Sequence, residues 1–374
     1  MSDGNKDKSG GWGFSAGLGN VLGNIKSGVT SVVDKTSTFL QKDSEDGTQY
    51  RNGSNKKAEN PKVNQCSPIQ YCKGKPIAGT TMNTRKRSKA MTPKEVCLDA
   101  NGDEETHVWG DGDASLFNLR VGPNYKKTGA KAPSAPALYD IVGIDLYASA
   151  NRIVNIGSQV HLPDEWTSVT TNHPKVPAVF IVVAQLPDVT DALSGLTNFF
   201  VDKSEGPGTS VVMYYRIKAE TAEALKNFAT CSPALKLFVE FCSSAPGANY
   251  KDPKHPMAGR FKVCPLVDNI DELGLPGFIT SYNAKPALVV QCGDVFRGEG
   301  YVCVDSNVHG FGGIARSGMQ LISFDSMQMK WGFAIESREE EDMPEVLFGT
   351  CFIDKPLMEP MLLPNWDLAI AKKE

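Results

Sequence analysis

The stretch 138-LYDIVGIDLYA-148 decides the fold. It is a strand-like apolar run, and others of its kind surround it: LFNLRV (116–121), AVFIVVAQL (178–186), SVVMYYRI (210–217), LKLFVEFC (235–242), ALVVQC (287–292), YVCVD (301–305) and EVLFGTCFI (345–353). Gly, Pro, Asp and Asn punctuate these runs, as they do between strands. AETAEALKNFATC (219–231) is the clearest helix, with Leu225 and Phe228 on one side, and a second helix is expected to start within 306–322. Strands outnumber helices, and the regular strand–helix alternation of a doubly wound sheet is absent. The expectation is an α+β domain, a mainly antiparallel β-sheet packed with a few helices, starting near Trp109.

Bulk properties narrow the function classes. At 374 residues and 41% apolar content the chain can bury a real core in one large or two modest domains. A net charge of −4 leaves no general nucleic-acid footprint, so no nucleic-acid partner is expected. No apolar run reaches the roughly 18 residues of a membrane-crossing helix, and the N-terminus has no continuous apolar core of a secretory signal. The 9 cysteines are odd in number and scattered, with no CxxC or CxxH pairing, which argues against zinc and for reduced thiols in a cytosolic protein.

Residues 1–42 carry a different signal. Leu18, Val21, Leu22, Ile25, Val29, Val32 and Val33 recur at helical steps, and Leu18, Val29 and Leu40 repeat every eleven residues. That period, about 3.67 residues per turn, keeps the stripe on one face. The opposite face is Gly, Ser, Thr and Asn, so such a helix binds a surface by apolar insertion, led by Trp12 and Phe14. Its many glycines make it a poor helix in water; it is expected to fold on meeting a membrane or a protein groove. A helix packed on the folded domain fits the same residues. The VTSVVDKT repeat is similar in composition to the membrane repeats of perilipins and lipid-packing sensors.

Residues 43–106 read as a mostly irregular linker. Its basic cluster, Arg85, Lys86, Arg87 and Lys89, suits an anionic lipid, an import signal or simply solvent. Familiar chemical motifs fail: GLGNVLG (17–23) follows no strand, and the calcium-like start at Asp99 lacks both its turn glycine and its closing Glu. Cys303, Asp305 and His309 are close in sequence, but Cys303 falls on an expected buried strand, where an activated thiol is out of place. No catalytic residue, metal site or cofactor is assigned. The acidic run Glu339–Asp342 reads as a solvated turn ahead of Pro344.

The order of motifs WGDGDASLFNLRVGPNYKKTGAK, PAVFIVVAQLP, GRFKVCPLV, GEGYVCVDSNVHGFGGIAR and EEEDMPEVLFGTCFI resembles the C-terminal domain of the plant Enhanced Disease Resistance 2 family, over roughly 107–355. The resemblance carries over Trp109, Phe117, Arg120, Tyr125, Lys127, Lys131, Asp145, Gln185, Pro187, Tyr301, Asp305, His309, Ala315, Arg316, Pro344, Glu345 and Gly349. Met343 stands where Leu is usual, and Cys303 stands near an acidic family position. In the plant proteins a pleckstrin-homology domain and a lipid-binding START domain precede this one. Residues 1–106 are too short for either, so the amphipathic segment is expected to replace them as the membrane-targeting element. The family domain brings no catalytic residues.

Arg120, Lys127, Lys131 and Arg316 are candidates to meet an anionic headgroup. Alternatively Arg120 or Arg316 locks the fold by pairing with Asp145, Asp305 or Glu345, with His309 a structural corner residue. Phe180, Phe199, Phe200, Tyr214 and Phe238 either line a lipid cavity or form plain core. The expected protein is therefore non-catalytic, cytoplasmic and peripheral on a cytosolic membrane surface. It binds or senses lipid through residues 107–355 and is targeted by 1–42, with 356–374 a strap or tail. The alternative is an interaction module whose N-terminal helix docks on a protein partner.

Overall fold

The computed structural model describes residues 70–82, 85–86, 107–187, 206–311, 324–356 and 361–362. The amphipathic segment 1–42, Arg87, Lys89, Phe199, Phe200, Ala315, Arg316 and most of the 356–374 tail lie outside the described residues. The first strands are β1 (Tyr71–Cys72), β2 (Lys75–Pro76), β3 (Arg85–Lys86), β4 (Val108–Asp111), β5 (Asn118–Arg120) and β6 (Lys131–Pro133). Longer ones follow: β7 (Tyr139–Ser149), β8 (Val179–Pro187), β9 (Gly208–Ile217) and β10 (Phe261–Val267). After the two-residue β11 (Ala287–Leu288) come β12 (Gly293–Gly298), β13 (Tyr301–Asn307), β14 (Gln328–Ile335), β15 (Leu347–Asp354) and β16 (Met361–Leu362). Among the described residues the helices are α1 (Tyr125–Thr128), α2 (Asp164–Thr167), α3 (Ala219–Ala224), α4 (Pro233–Ser244) and α5 (Gly277–Thr280), all but α4 short.

Two six-stranded sheets carry the core, in the orders β11-β10-β14-β15-β4-β3 and β12-β13-β8-β9-β7-β16. Most neighbours are antiparallel, as the sequence predicts; β13 with β8, β16 with β7 and β3 with β4 are parallel. Phe180 and Tyr215 of one sheet join Phe261, Phe333 and Phe348 of the other in one apolar cluster, which Phe238 and Phe241 of α4 complete. The rings interlock, with centroids 4.4 Å apart for Phe180–Phe348, 5.4 Å for Phe238–Phe348 and 5.8 Å for Phe261–Phe333. Such offset and tilted contacts add specific attraction to the burial of large apolar surface. Phe180 and Phe238 are thus core, as is Tyr214 in a second cluster with Trp166 on the far face of its sheet.

Several local expectations change. The run 235–242 is the body of α4 rather than a strand. Ser232 caps it by accepting the Leu235 N–H, and Pro233 opens it with a preset φ. Its apolar residues cover most of the circumference and leave a narrow polar stripe at Lys236 and Glu240, so the run reads as nearly continuous apolar. The expected helix 219–231 breaks after α3 into a 3₁₀ segment, because Asn227 leaves helical geometry (φ −119°, ψ 74°). Leu225 is consequently buried while Phe228 is 38% exposed. Where the second helix was expected, the described part is a 3₁₀ turn at Val308–Gly310, capped by Asn307 rather than by Asp305 or Ser306.

The stretch 70–82, read as linker, is docked on the domain. Ile77 bridges to His161, and the Ala78 N–H donates to the His161 carbonyl at 3.0 Å. Arg85 and Lys86 of the basic cluster form β3 beside β4. One glycine pair makes the docking possible. A side chain on Gly143, at the register shift of β7, would meet Trp166 at 2.7 Å and the Gly79 Cα at 3.0 Å. Only two glycines let strand, loop and indole approach this closely.

Candidate functional site

Asp145 sits at the middle of β7 with no solvent exposure. Its carboxylate accepts from the Gly79 N–H (2.8 Å), the Thr81 N–H and hydroxyl (both 2.9 Å) and the Tyr147 hydroxyl (2.9 Å). Donors of this number satisfy a buried carboxylate without a cation. Asp145 is a clip for the 77–81 loop, and it does not meet Arg120.

Asp305 lies on β13, also fully buried. It accepts from the Asn155 N–H at 2.9 Å and the Cys303 thiol at 3.3 Å. Burial pushes its pKa up to about 6, although the Asn155 N–H and the thiol favour the charged form. Asn155 holds left-handed backbone (φ 52°) and accepts the Tyr301 hydroxyl at 3.2 Å. Burial, and then the Asp305 charge, drive the Cys303 thiol well above its ordinary pKa. That is the opposite of what a nucleophilic thiolate needs. His309 is buried, its backbone N–H donates to the Asn307 side chain, and its ring lies against Gly208. Among the described residues no cluster of His, Cys, Asp or Glu is placed to hold a metal ion.

The remaining candidates gather on the outer face of the other sheet. The β5–β6 hairpin packs Phe117 and Leu119 on Cys264, Ala334 and Leu347. Arg120 leaves the hairpin to meet Glu336 at 2.9 Å and Glu345 at 3.9 Å, with its guanidinium 5.0 Å from the Tyr125 ring centroid. Burial works against the Arg120 charge, but the two carboxylates outweigh it and raise its pKa. Glu345 also takes Lys262 (2.5 Å), the Ser337 N–H (3.0 Å) and the Arg120 N–H (3.2 Å). Burial holds the Lys262 pKa below its ordinary value, with Glu345 acting in the other direction. Arg338 meets Glu336 at 3.0 Å, and Arg260 meets Asp342 at 2.8 Å.

The hairpin itself presents a second, exposed set of charges. Lys131 faces Arg120 in the β5–β6 register, and Lys127 lies on α1 at the tip. Both are exposed, and among the described residues no carboxylate pairs with either. Lys126 pairs with Glu339 at 3.3 Å. The sequence candidates therefore divide. Arg120 and Glu345 are joined in the network, Asp145, Asp305 and His309 are separate buried anchors, and Lys127 and Lys131 face solvent. The sequence reading missed Arg260 and Lys262, whose charges alternate with apolar residues in GRFKV, and Glu336, which precedes the acidic turn. Asp342 of that turn, read as solvated, is held by Arg260 and the Arg338 N–H.

The clefts are open. A groove of about 690 Å³ runs between Pro136–Leu138, α3 and the start of α4, and the Lys218–Asp140 pair (3.2 Å) separates it from one of about 300 Å³. Among the described residues no helix is long and apolar enough to cross a membrane.

A sheet-rich α+β domain with these anchors defines the class. The sequence profile of the C-terminal domain of Enhanced Disease Resistance 2 matches residues 109–355, and the chain belongs to that family. Neither the curated proteins nor the solved structures compared with it match it.

Proposed function

We propose that this chain is a non-catalytic peripheral membrane protein that binds or senses lipid through its 107–355 domain. In this reading the 1–42 amphipathic segment targets it to a cytosolic leaflet. The observation that carries the reading is the division of basic side chains on the hairpin. Arg120 is engaged by Glu336 and Glu345, while Lys127 and Lys131 stand exposed with no acidic partner among the described residues. Lysines so presented suit anionic phospholipid headgroups. The aromatic core fills the space between the sheets, which favours lipid contact at the surface over a swallowed chain.

Flotation on phosphatidylcholine–phosphatidylserine vesicles tests both halves. Removing residues 1–42, or replacing Leu22 and Val29 by Asp, is expected to release the protein; equal flotation sinks the targeting role. Lys127→Ala with Lys131→Ala is expected to weaken binding by about 2 kcal/mol, roughly thirtyfold, at low salt. Unchanged binding removes the hairpin from the lipid contact.

A further inference from the structure

Among the described residues the large exposed apolar side chains include Tyr282 (58%), Leu288 (40%) and Val290 (42%), all within one loop and edge strand. Val289, just past β11, is buried in the core between the sheets, while its neighbours Leu288 and Val290 are exposed. Leu288 pairs with Lys262, and paired residues share a face. Lys262 joins Glu345, Glu345 joins Arg120, and Arg120 faces Lys131 across the hairpin. The apolar edge and the basic hairpin thus lie on one side of the molecule.

What covers this edge follows from its shape and charge. β11 is two residues long and Pro286 precedes it, so it offers a poor template for an added strand. Leu288 and Val290 are partly exposed at a sheet margin, Val290 against Gly259, and such partly exposed apolar side chains suit a soft planar surface. Lys285 places its ammonium 5.8 Å from the Tyr282 ring centroid. An aromatic and a long cation side by side suit the headgroup level of a bilayer. Asp271 and Glu272 are exposed earlier in the same loop, so the basic character lies toward the hairpin rather than across the whole patch.

We propose that this edge and the hairpin form one docking surface for an anionic bilayer leaflet. Tyr282, Leu288 and Val290 enter the acyl boundary, and Lys127, Lys131 and Lys285 meet the phosphates. The proposal rests on the membrane reading above and adds a contact independent of residues 1–42.

The test uses the full chain on vesicles of phosphatidylcholine with phosphatidylserine. Leu288→Ser with Val290→Ser is expected to weaken binding about tenfold, from two side chains each burying part of their apolar surface, with an unchanged melting temperature. Amide deuterium uptake across 282–290 in the unaltered chain is expected to fall when vesicles are added. Wild-type binding by the Ser variant, or unchanged uptake at 282–290, overturns the proposal. Should the variant melt early, the uptake measurement on the unaltered chain decides. If binding is lost only in Leu22→Asp with Val29→Asp, this surface falls and the membrane reading stands. If the unaltered chain binds no vesicles, both fall.

Discussion

Replacing Glu345 by Gln removes one negative charge from the centre of the outer-face network and little volume. The Lys262 and Glu345 side chains are 4% and 0% exposed, so solvent screens their attraction poorly. Arg120 keeps Glu336 at 2.9 Å, but Lys262 is left as a buried cation with no remaining carboxylate in direct contact. Breaking a buried pair from one side costs about 3–5 kcal/mol, a large share of the roughly 5–15 kcal/mol that holds a typical domain together. In a domain of this size the melting temperature should fall by roughly 6–20 °C. The pH dependence follows from Lys262, whose folded pKa burial already depresses. The unfolded chain keeps that proton to higher pH than the folded one, so stability rises with pH through this window. Without Glu345 the folded pKa drops further, so the deficit of the variant shrinks toward alkaline pH. Adding Lys262→Met removes the stranded cation and should restore part of the loss; the Ser337 and Arg120 N–H groups use separate Glu345 oxygens, so the single Gln oxygen serves only one of them. Urea melts across neutral to alkaline pH are the assay. A deficit under about 1 kcal/mol, the scale of a surface pair, or one that grows with pH, refutes the reasoning.

The buried anchors give two further tests. The Asp305 pKa is raised from 3.8 to about 6, so its favourable contribution is present below the unfolded value and is lost as pH rises through the folded one. Wild type should therefore lose stability relative to Asp305→Asn between about pH 4 and 6; parallel urea-melt profiles for the two proteins would count against it. Asp145→Ala strips four hydrogen bonds from the 79–81 loop and Tyr147. Amide exchange at Gly79 and Thr81 should accelerate in that variant far more than exchange in β8, and equal protection would show that the clip does not hold the loop.

The long central strands were legible because they are buried on both faces and read as continuous apolar runs, as AVFIVVAQL in β8 does. The strands β10 and β14 were missed for the converse reason. Pro265 interrupts one and Gly332 the other, and Lys262 and Lys330 place charges inside them. Those charges are tolerated because Glu345 and Asp268 meet them, and a single sequence does not display its partners in space. The helix α4 was misread because its polar stripe is narrow: within LKLFVEFC only Lys236 and Glu240, one helical turn apart, interrupt the apolar residues. At the site, the Arg120–Glu345 link was anticipated as one of several pairings, whereas Asp145 and Asp305 have no arginine in direct contact. Their ligands are backbone N–H groups, a thiol and hydroxyls, supplied by segments far away in sequence such as Thr81 and Asn155.

The separation of engaged from exposed cations also bears on how the two halves of the chain would cooperate. The 1–42 stripe has an almost uncharged polar side in sequence, so insertion of the kind proposed would discriminate weakly between neutral and anionic leaflets. In the proposed reading, the exposed Lys127 and Lys131 would have the complementary weakness, responding to surface charge without inserting. One weak membrane signal gives marginal, reversible attachment, and two in one chain multiply through effective concentration. The buried network matters to this arrangement through geometry rather than charge. By fixing Arg120 against Glu336 and Glu345 it anchors the base of the hairpin to its sheet, so the exposed lysines project from a rigid support. Disrupting Glu345 would then weaken vesicle binding even though its side chain is buried and touches no lipid.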